Sequence, residues 1–288
     1  MPHARNREGH AIHYRDVGSG EPCAALVMGI GVSGSMWGPL PEALARDETR
    51  PHRVLVIDNR GTGKSARPLR PWTMASMGDD VAAVLDHAGV ERARLVGISL
   101  GGMIALHAAV NHPDRIEGLG LLCTTPGVFT GVMPPPKAVL TLVQGFANGM
   151  KGDTFMRLMY LESQLERVRK KMKSRPPSEG FASEPFSFRM LLYHMLAAAA
   201  HTVTADLPRV RCPTRVVTGA EDLLIPPENS RRIAARIPGA SLEVLPEVGH
   251  DMVTVRPRIL SEVLGWLDDA IRERAEAGAT SASGAPAS

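Results

Sequence analysis

Three cysteines in 288 residues leave little room for sulfur chemistry. Cys23, Cys123 and Cys212 are odd in number, widely scattered and contain no CxxC pair, which excludes a disulfide framework or a zinc site and suits reduced, buried thiols in a cytoplasmic protein. Aromatic residues are scarce too, at 4% against 14 methionines, so the core and any pocket should be aliphatic and thioether-lined. No stretch approaches the ~18 consecutive apolar residues of a membrane span. The polar opening Met1–His13 has no signal-peptide apolar run, making the cytoplasm the expected location. A net charge of +3, with no basic stripe interleaved with aromatics, argues against nucleic acid as a partner. Neither GxxxxGK[ST] nor a GxGxxG opening a helix is present, so no nucleotide is expected, and no other cofactor or metal.

What is present is an ordinary globular composition, 44% apolar and 22% charged, long enough for one large core or a core with a cap. Ala24–Met28 and Val54–Ile57 are short continuous apolar runs, as buried central strands should be. Arg94–Gly97, Gly118–Leu122, Arg215–Thr218 and Leu242–Leu245 repeat the pattern, while Ala11–Val17 alternates as an edge strand would. Between them Met74–Ala88, Leu100–Asn111, Glu228–Arg236 and Pro257–Arg274 carry helical spacing. Strand and helix in alternation predict an α/β fold, a mostly parallel central sheet with helices on both faces.

The alternation fails between about residues 125 and 207, where Pro134–Pro136 and Pro176–Pro177 punctuate a segment without strand signals. Phe155, Leu158, Leu161, Leu165, Val168 and Met172 recur at threes and fours, predicting one amphipathic helix. A helical insertion between two strands reads as a lid over the strand ends. The expected organisation is thus a core of residues 1–125 and 207–274, a helical cap of 126–206, and a small, polar, disordered tail of 275–288. A basic run (Arg167, Arg169, Lys170, Lys171, Lys173, Arg175) reads as a solvated face complementing a helix C-terminus, with an anionic dock as the sharper alternative.

Gly97-Ile98-Ser99-Leu100-Gly101 joins a predicted strand to a predicted helix, the context of a nucleophile on a sharp, strained turn whose neighbours must be small. Serine needs a base within hydrogen-bond reach. Of the ten histidines, His250 lies on the loop after Leu242–Leu245, where it can project over the sheet edge. His107 and His112 read as packing or capping groups, and His194 and His201 as structural or substrate-touching. The imidazole needs an acid to fix its tautomer. Asp222, directly after Arg215–Thr218, fills that place, with Glu221 as the rival. An oxyanion would be held by two backbone N–H groups, Leu100 at the helix start and Ile30 in Met28-Gly29-Ile30-Gly31.

With these residues in place the chain resembles the α/β-hydrolases, in particular the lidded esterase, lactonase and haloperoxidase-like branch, over roughly residues 10–272. The order Ser99, Asp222, His250 is that family's order. Asp58-Asn59-Arg60-Gly61-Thr62-Gly63-Lys64-Ser65 is similar to its DxRGxGxS loop, Gly219–Asp222 to its GxxD acid turn, and Pro246–His250 to its histidine turn. At the oxyanion turn the family usually has His-Gly, whereas this chain has Met28-Gly29. The backbone donor survives that change, but the bracing made by the usual histidine is expected to be missing. Methylesterases acting on polyketides resemble the chain in lacking that histidine.

The resemblance implies a serine hydrolase acting on an ester or lactone of a small, largely apolar molecule through an acyl-serine. Carbon–carbon bond hydrolysis of vinylogous diketones, cofactor-free perhydrolysis and a non-catalytic small-molecule receptor on the same fold are the alternatives. Substrate contacts are expected from Met133, Phe146, Met159, Met190 and His194, within a wider apolar set that includes Met150, Met156, Phe155, Phe186, Phe188 and Met195.

Overall fold

A computed structural model describes residues 2–148, 152–174 and 187–283, with side chains to residue 279. In chain order the elements are β1 (His3–Arg5), β2 (Ala11–Val17), β3 (Cys23–Val27), α1 (Leu40–Ala45), β4 (Arg53–Ile57), α2 (Met74–His87), β5 (Ala93–Ile98), α3 (Leu100–Asn111) and β6 (Ile116–Leu122). Then come α4 (Pro136–Ala147), α5 (Asp153–Met159), α6 (Leu165–Lys173), α7 (Phe188–Ala199), β7 (Thr214–Gly219), α8 (Glu228–Ala234), β8 (Ser241–Leu245), α9 (Met252–Val255) and α10 (Ile259–Ser283). No helix among the described residues is long and apolar enough to cross a membrane.

The strands form one sheet in the order β1-β2-β4-β3-β5-β6-β7-β8. From β4 to β8 every pairing is parallel, and β1 and β2 are antiparallel. Its apolar strands bury both faces because alternate residues face opposite ways. Cys23, Ala25 and Val27 of β3 join the layer that holds α2, α3 and α8, while Ala24 and Leu26 join the layer under α1 and α10. The chain leaves β3 for β4 on one side, then crosses back to β5 on the other. The loops after β3 and β5 therefore face each other at the carboxyl edge, where such sheets hold ligands.

Four expectations change. Ala11–Val17 is not the edge, since the short β1 pairs outside it through His3–His13, Ala4–Ile12 and Arg5–Ala11. The single amphipathic helix is two, α5 and α6, broken by an extended Tyr160 (φ −137°, ψ 154°) and a 3-10 turn at Glu162–Gln164. The break lets the chain dock on the core: Met159 O accepts from Asp251 N at 3.3 Å, and Gln164 Nε2 donates to Glu247 O at 2.7 Å. The tail expected to be disordered is helical to Ser283 within α10, where alanine-rich sequence extends a helix already nucleated. Residues 284–288, like Met150, Arg175, Pro176–Pro177 and Phe186, lie outside the described residues. Finally, Lys171 of the basic run is exposed but does more than face solvent, donating to Thr254 O at 2.9 Å.

Helices α4 to α7 stand between β6 and β7 as the expected helical insertion.

Candidate active site

Ser99 is the residue between β5 and α3, with φ 57° and ψ −121°. A non-glycine side chain in that left-handed region is strained. The surroundings hold it there from several sides. Ser99 N–H still donates to Leu122 O at 2.8 Å, continuing the sheet ladder, and Thr124 Oγ1 donates to Ser99 O at 2.8 Å. Glycine is required at 101, since a Cβ there would collide with the Val27 carbonyl. Leu100 begins α3, so its N–H belongs to the helix's unpaired first turn.

On the facing loop, a Cβ on Gly29 would lie 3.4 Å from Ser99 Cβ, which shows how closely the loop after β3 passes the serine. Ile30 lines both cavities that open at Ser99. The bracing expected to be missing beside Met28 is supplied from the Asp58–Ser65 loop. Asn59 Nδ2 donates to Met28 O at 2.8 Å. Asp58 accepts from Gly34 N at 2.9 Å and Lys64 N at 3.1 Å, and shares a bond of 2.7 Å with His13 Nδ1. That loop thus contributes support to the neighbouring backbone.

The structure brings Asp222 and His250 together beside Ser99. Asp222 follows β7, is 3% exposed, and its Oδ1 accepts from Leu224 N (2.9 Å) and Ile225 N (2.8 Å). Its Oδ2 is 2.8 Å from His250 Nδ1. Glu221, the rival acid, is exposed. His250 follows β8 and lines the same cavity as Ser99. Burial disfavours its charged form, but the Asp222 carboxylate, by charge and by hydrogen bond, outweighs burial and together with Asp251 raises the imidazole above its ordinary value.

Three neighbours of this pair escaped the sequence. Asp251 accepts from Thr254 Oγ1 at 2.7 Å and Thr254 N at 3.1 Å and from the Tyr160 hydroxyl, so the break between α5 and α6 grips the His250 loop. Cys123 (φ 44°) ends β6, and its ligand atom and those of Asp222 and His250 all lie within 4.8 Å of one another. Burial first, and then the Asp222 charge, push its thiol well above the usual value. Asp222 is already committed, Oδ1 to Leu224 N and Ile225 N and Oδ2 to His250 Nδ1, so its carboxylate serves the imidazole. The signal for Asp251 was adjacency to His250; Cys123 and Tyr160 had none at the level of spacing.

Of the substrate contacts expected from the insertion, Phe146 and Met159 line the smaller cavity and Met133 the larger. Met190 and His194 do not belong there. Both are buried on the core side of α7, Met190 against Gly61 and His194 with Nε2 2.9 Å from Arg60 O and its ring edge-on to Trp72. Burial pulls the His194 imidazole down to about 4, so it stays neutral. The cavity face of α7 is Met195, Ala198 and Ala199 instead. His201 is likewise structural, bonded to Thr125 O at 3.0 Å and to His107 at 3.1 Å.

Comparison with known proteins agrees with this fold. The profile of a family described as alpha/beta hydrolase fold matches residues 26–257. A putative carbamate hydrolase RutD of Caulobacter sp. (strain K31) is 33% identical over 248 residues, covering 84% of this chain and 89% of that protein. Among solved structures, Est816, described as an N-acyl homoserine lactone degrading enzyme, has a TM-score of 0.72 at 30% identity, covering 91% of this chain and 98% of its own. The enol-lactonase of Burkholderia xenovorans LB400 has a TM-score of 0.73 at 26% identity, covering 93% of this chain and 98% of its own.

Proposed function

The chain belongs to the α/β-hydrolase family, and from that premise we propose that it is a serine hydrolase cleaving a carboxylic ester or lactone of a small, largely apolar molecule. The observation that carries this reading is the pairing of Asp222 at 2.8 Å with His250, which lines the same cavity as the strained Ser99. Ser99 Oγ attacks the carbonyl carbon while His250 Nε2 takes its proton. The N–H groups of Ile30 and Leu100 stabilise the oxyanion, an effect typically worth about 10²–10³ in rate per donor. The tetrahedral species collapses, His250 returns the proton to the departing oxygen, and an acyl-serine remains. Water, deprotonated by the same histidine, then releases the acid and restores Ser99. Asp222 holds Nδ1–H toward itself, leaving Nε2 free to accept.

Helices α4 to α7 act in this reading as a lid over the strand ends, shielding the site from bulk solvent while admitting the water that deacylation consumes. The relatives' described activities run from carbamate to lactone hydrolysis. An ester or lactone with an apolar body is favoured by the mostly apolar lining, which includes Met28, Ile30, Leu142, Phe146 and Leu224. A fluorophosphonate probe tests the class: it labels the wild-type protein and not Ser99→Ala, and an ester panel loses turnover with the same substitution. Equal labelling of both proteins refutes the assignment.

A further inference from the structure

Two cavities meet at Ser99, and they differ in size, in wall and in their relation to the base. The smaller, about 80 Å³, is lined by His250, Asp251 and Thr254 on one side and by Phe146, Phe155 and Met159 on the other. Two glycines let the phenyl rings close in. A Cβ at Gly31 (φ +70°) would lie 2.7 Å from Phe146 Cε1, and one at Gly145 would collide with the Phe155 ring. Such walls have little freedom to retreat. The larger cavity, about 220 Å³, extends from Leu100 along Met103, Val132, Met195 and Ala198, and His250 is not among its walls. Its methionines are unbranched and adaptable, and its alanines leave space rather than fill it.

The chemistry decides which part of a substrate goes where. The departing oxygen receives its proton from His250 Nε2, so it must come within hydrogen-bond reach of that atom. Whatever that oxygen carries therefore enters the smaller cavity. The acyl carbon's other substituent must point away, past Leu100 and into the larger one. Apart from Ser99 itself, the polar side chains that line the larger cavity are Thr125 and Asn229, and both are bonded within the protein. Thr125 Oγ1 donates to Asn229 Oδ1 at 3.2 Å, which also accepts from Val132 N at 2.7 Å, while Asn229 Nδ2 donates to Val132 O at 2.9 Å. A charged or strongly polar acyl group would lose its water there without replacement.

From this asymmetry, which rests on the serine-hydrolase reading above, we infer that the substrate carries its bulk on the acyl side: an uncharged, flexible aliphatic acyl group joined to a short leaving alcohol. A lactone in this class has a small ring with its alkyl tail on the carbonyl side.

Two isomeric esters separate this from its opposite, because methyl octanoate and heptyl acetate have the same atoms and differ only in which side holds the chain. With acid release followed by pH-stat, methyl octanoate is expected to exceed heptyl acetate in kcat/KM by about tenfold or more. Lengthening methyl acetate toward methyl hexanoate raises kcat/KM about fourfold per methylene, the equivalent of about 0.8 kcal/mol for each buried CH₂. Ala198→Phe, which narrows the larger cavity, lowers kcat/KM for methyl octanoate about tenfold more than for methyl acetate, with Tm reporting an intact fold. Equal rates for the isomers, or a preference for heptyl acetate, overturn the inference while Ser99-dependent fluorophosphonate labelling leaves the parent reading standing. Labelling without turnover of either ester overturns it too. Loss of both labelling and turnover overturns the parent reading and this one with it. Should Ala198→Phe lose methyl acetate activity as well, the isomer comparison on wild-type protein decides alone.

Discussion

Replacing Asp222 by asparagine changes one atom and inverts the logic of the site. The side chain keeps its shape, and an amide oxygen can still accept from Leu224 N and Ile225 N, at 2.9 and 2.8 Å in the native protein. The amide nitrogen then faces His250 Nδ1, which must become an acceptor, and the ring proton moves to Nε2. That tautomer presents a proton to Ser99 when it should present a lone pair. The cost of such a reversal is about 10⁴ in kcat, or about 5 kcal/mol of transition-state stabilisation. The pH profile moves as well. In the wild type the raised imidazole puts the acid limb of kcat/KM above the ordinary histidine value of about 6.5. In Asp222→Asn the burial that opposes charge remains without the carboxylate that overcame it, so the limb falls below that value. Stability follows the same proton. A raised native pKa contributes stability that is fully present below the unfolded value and is lost as pH rises through the folded one. The Tm gap between wild type and variant therefore narrows from about pH 6 to about pH 9. The assay is kcat and kcat/KM across pH on any ester the wild type turns over, with Tm measured in the same buffers. A variant within about tenfold of wild type, with its acid limb unmoved, refutes the role given to Asp222.

Tyr160→Phe removes the hydroxyl donated to Asp251 but leaves that carboxylate two bonds from Thr254. A loss of about 1–2 kcal/mol in stability is expected, with the rate of Ser99 labelling reduced about threefold to tenfold because the insertion grips the His250 loop through one side-chain bond fewer. A lower Tm with unchanged labelling would make the bond purely structural. Arg60→Met leaves Asp80, 4% exposed, without the guanidinium that now bonds both its oxygens at 2.6 and 2.7 Å. Breaking such a buried pair costs about 3–5 kcal/mol, or roughly 10 °C in Tm. Burial already raises the Asp80 carboxyl despite Arg60. Without the arginine it protonates more readily, so the deficit is smaller at about pH 5 than at about pH 8, and thermal denaturation at both values checks it.

The strands β3 to β8 were legible because each is a short apolar run between turn residues, and a buried parallel sheet asks for nothing subtler. Strand β1 was not, since three residues carry no periodicity, and its pairing with His13 and Ile12 is decided by tertiary contact. The break at Tyr160 hid for a related reason. Phe155 to Met172 keeps helical spacing across it, and only the hydrogen bonds to Glu247, Asp251 and Thr254 show why the chain departs from a helix there. Within α7 both faces are apolar. Spacing identified a helix but could not distinguish the face at Met190 and His194, which enters the core, from the face at Met195 and Ala198, which meets the cavity. The places of Ser99, Asp222 and His250, the proposed serine, acid and base, were readable because each follows a strand end, on a sharp turn or a loop over the sheet edge. Positions fixed by backbone geometry leave a mark in sequence; positions fixed by which side of a helix meets a partner leave a much weaker one.

Met28 shows how such a weak mark is read once the structure is known. A side chain at the oxyanion turn can brace the loop or line the cavity, and one side chain cannot readily serve both ends. Here Asn59 and Asp58, from the loop after the neighbouring strand β4, hold Met28 O and Gly34 N. In the proposed reading the oxyanion meets the N–H of Ile30, a backbone donor that does not depend on the side chain at residue 28. Freed from bracing, Met28 joins Phe146 and Met159 around the small cavity beside His250. In the proposed reading Met28 thus puts an apolar wall on the leaving-group side, where the family's usual histidine would be polar.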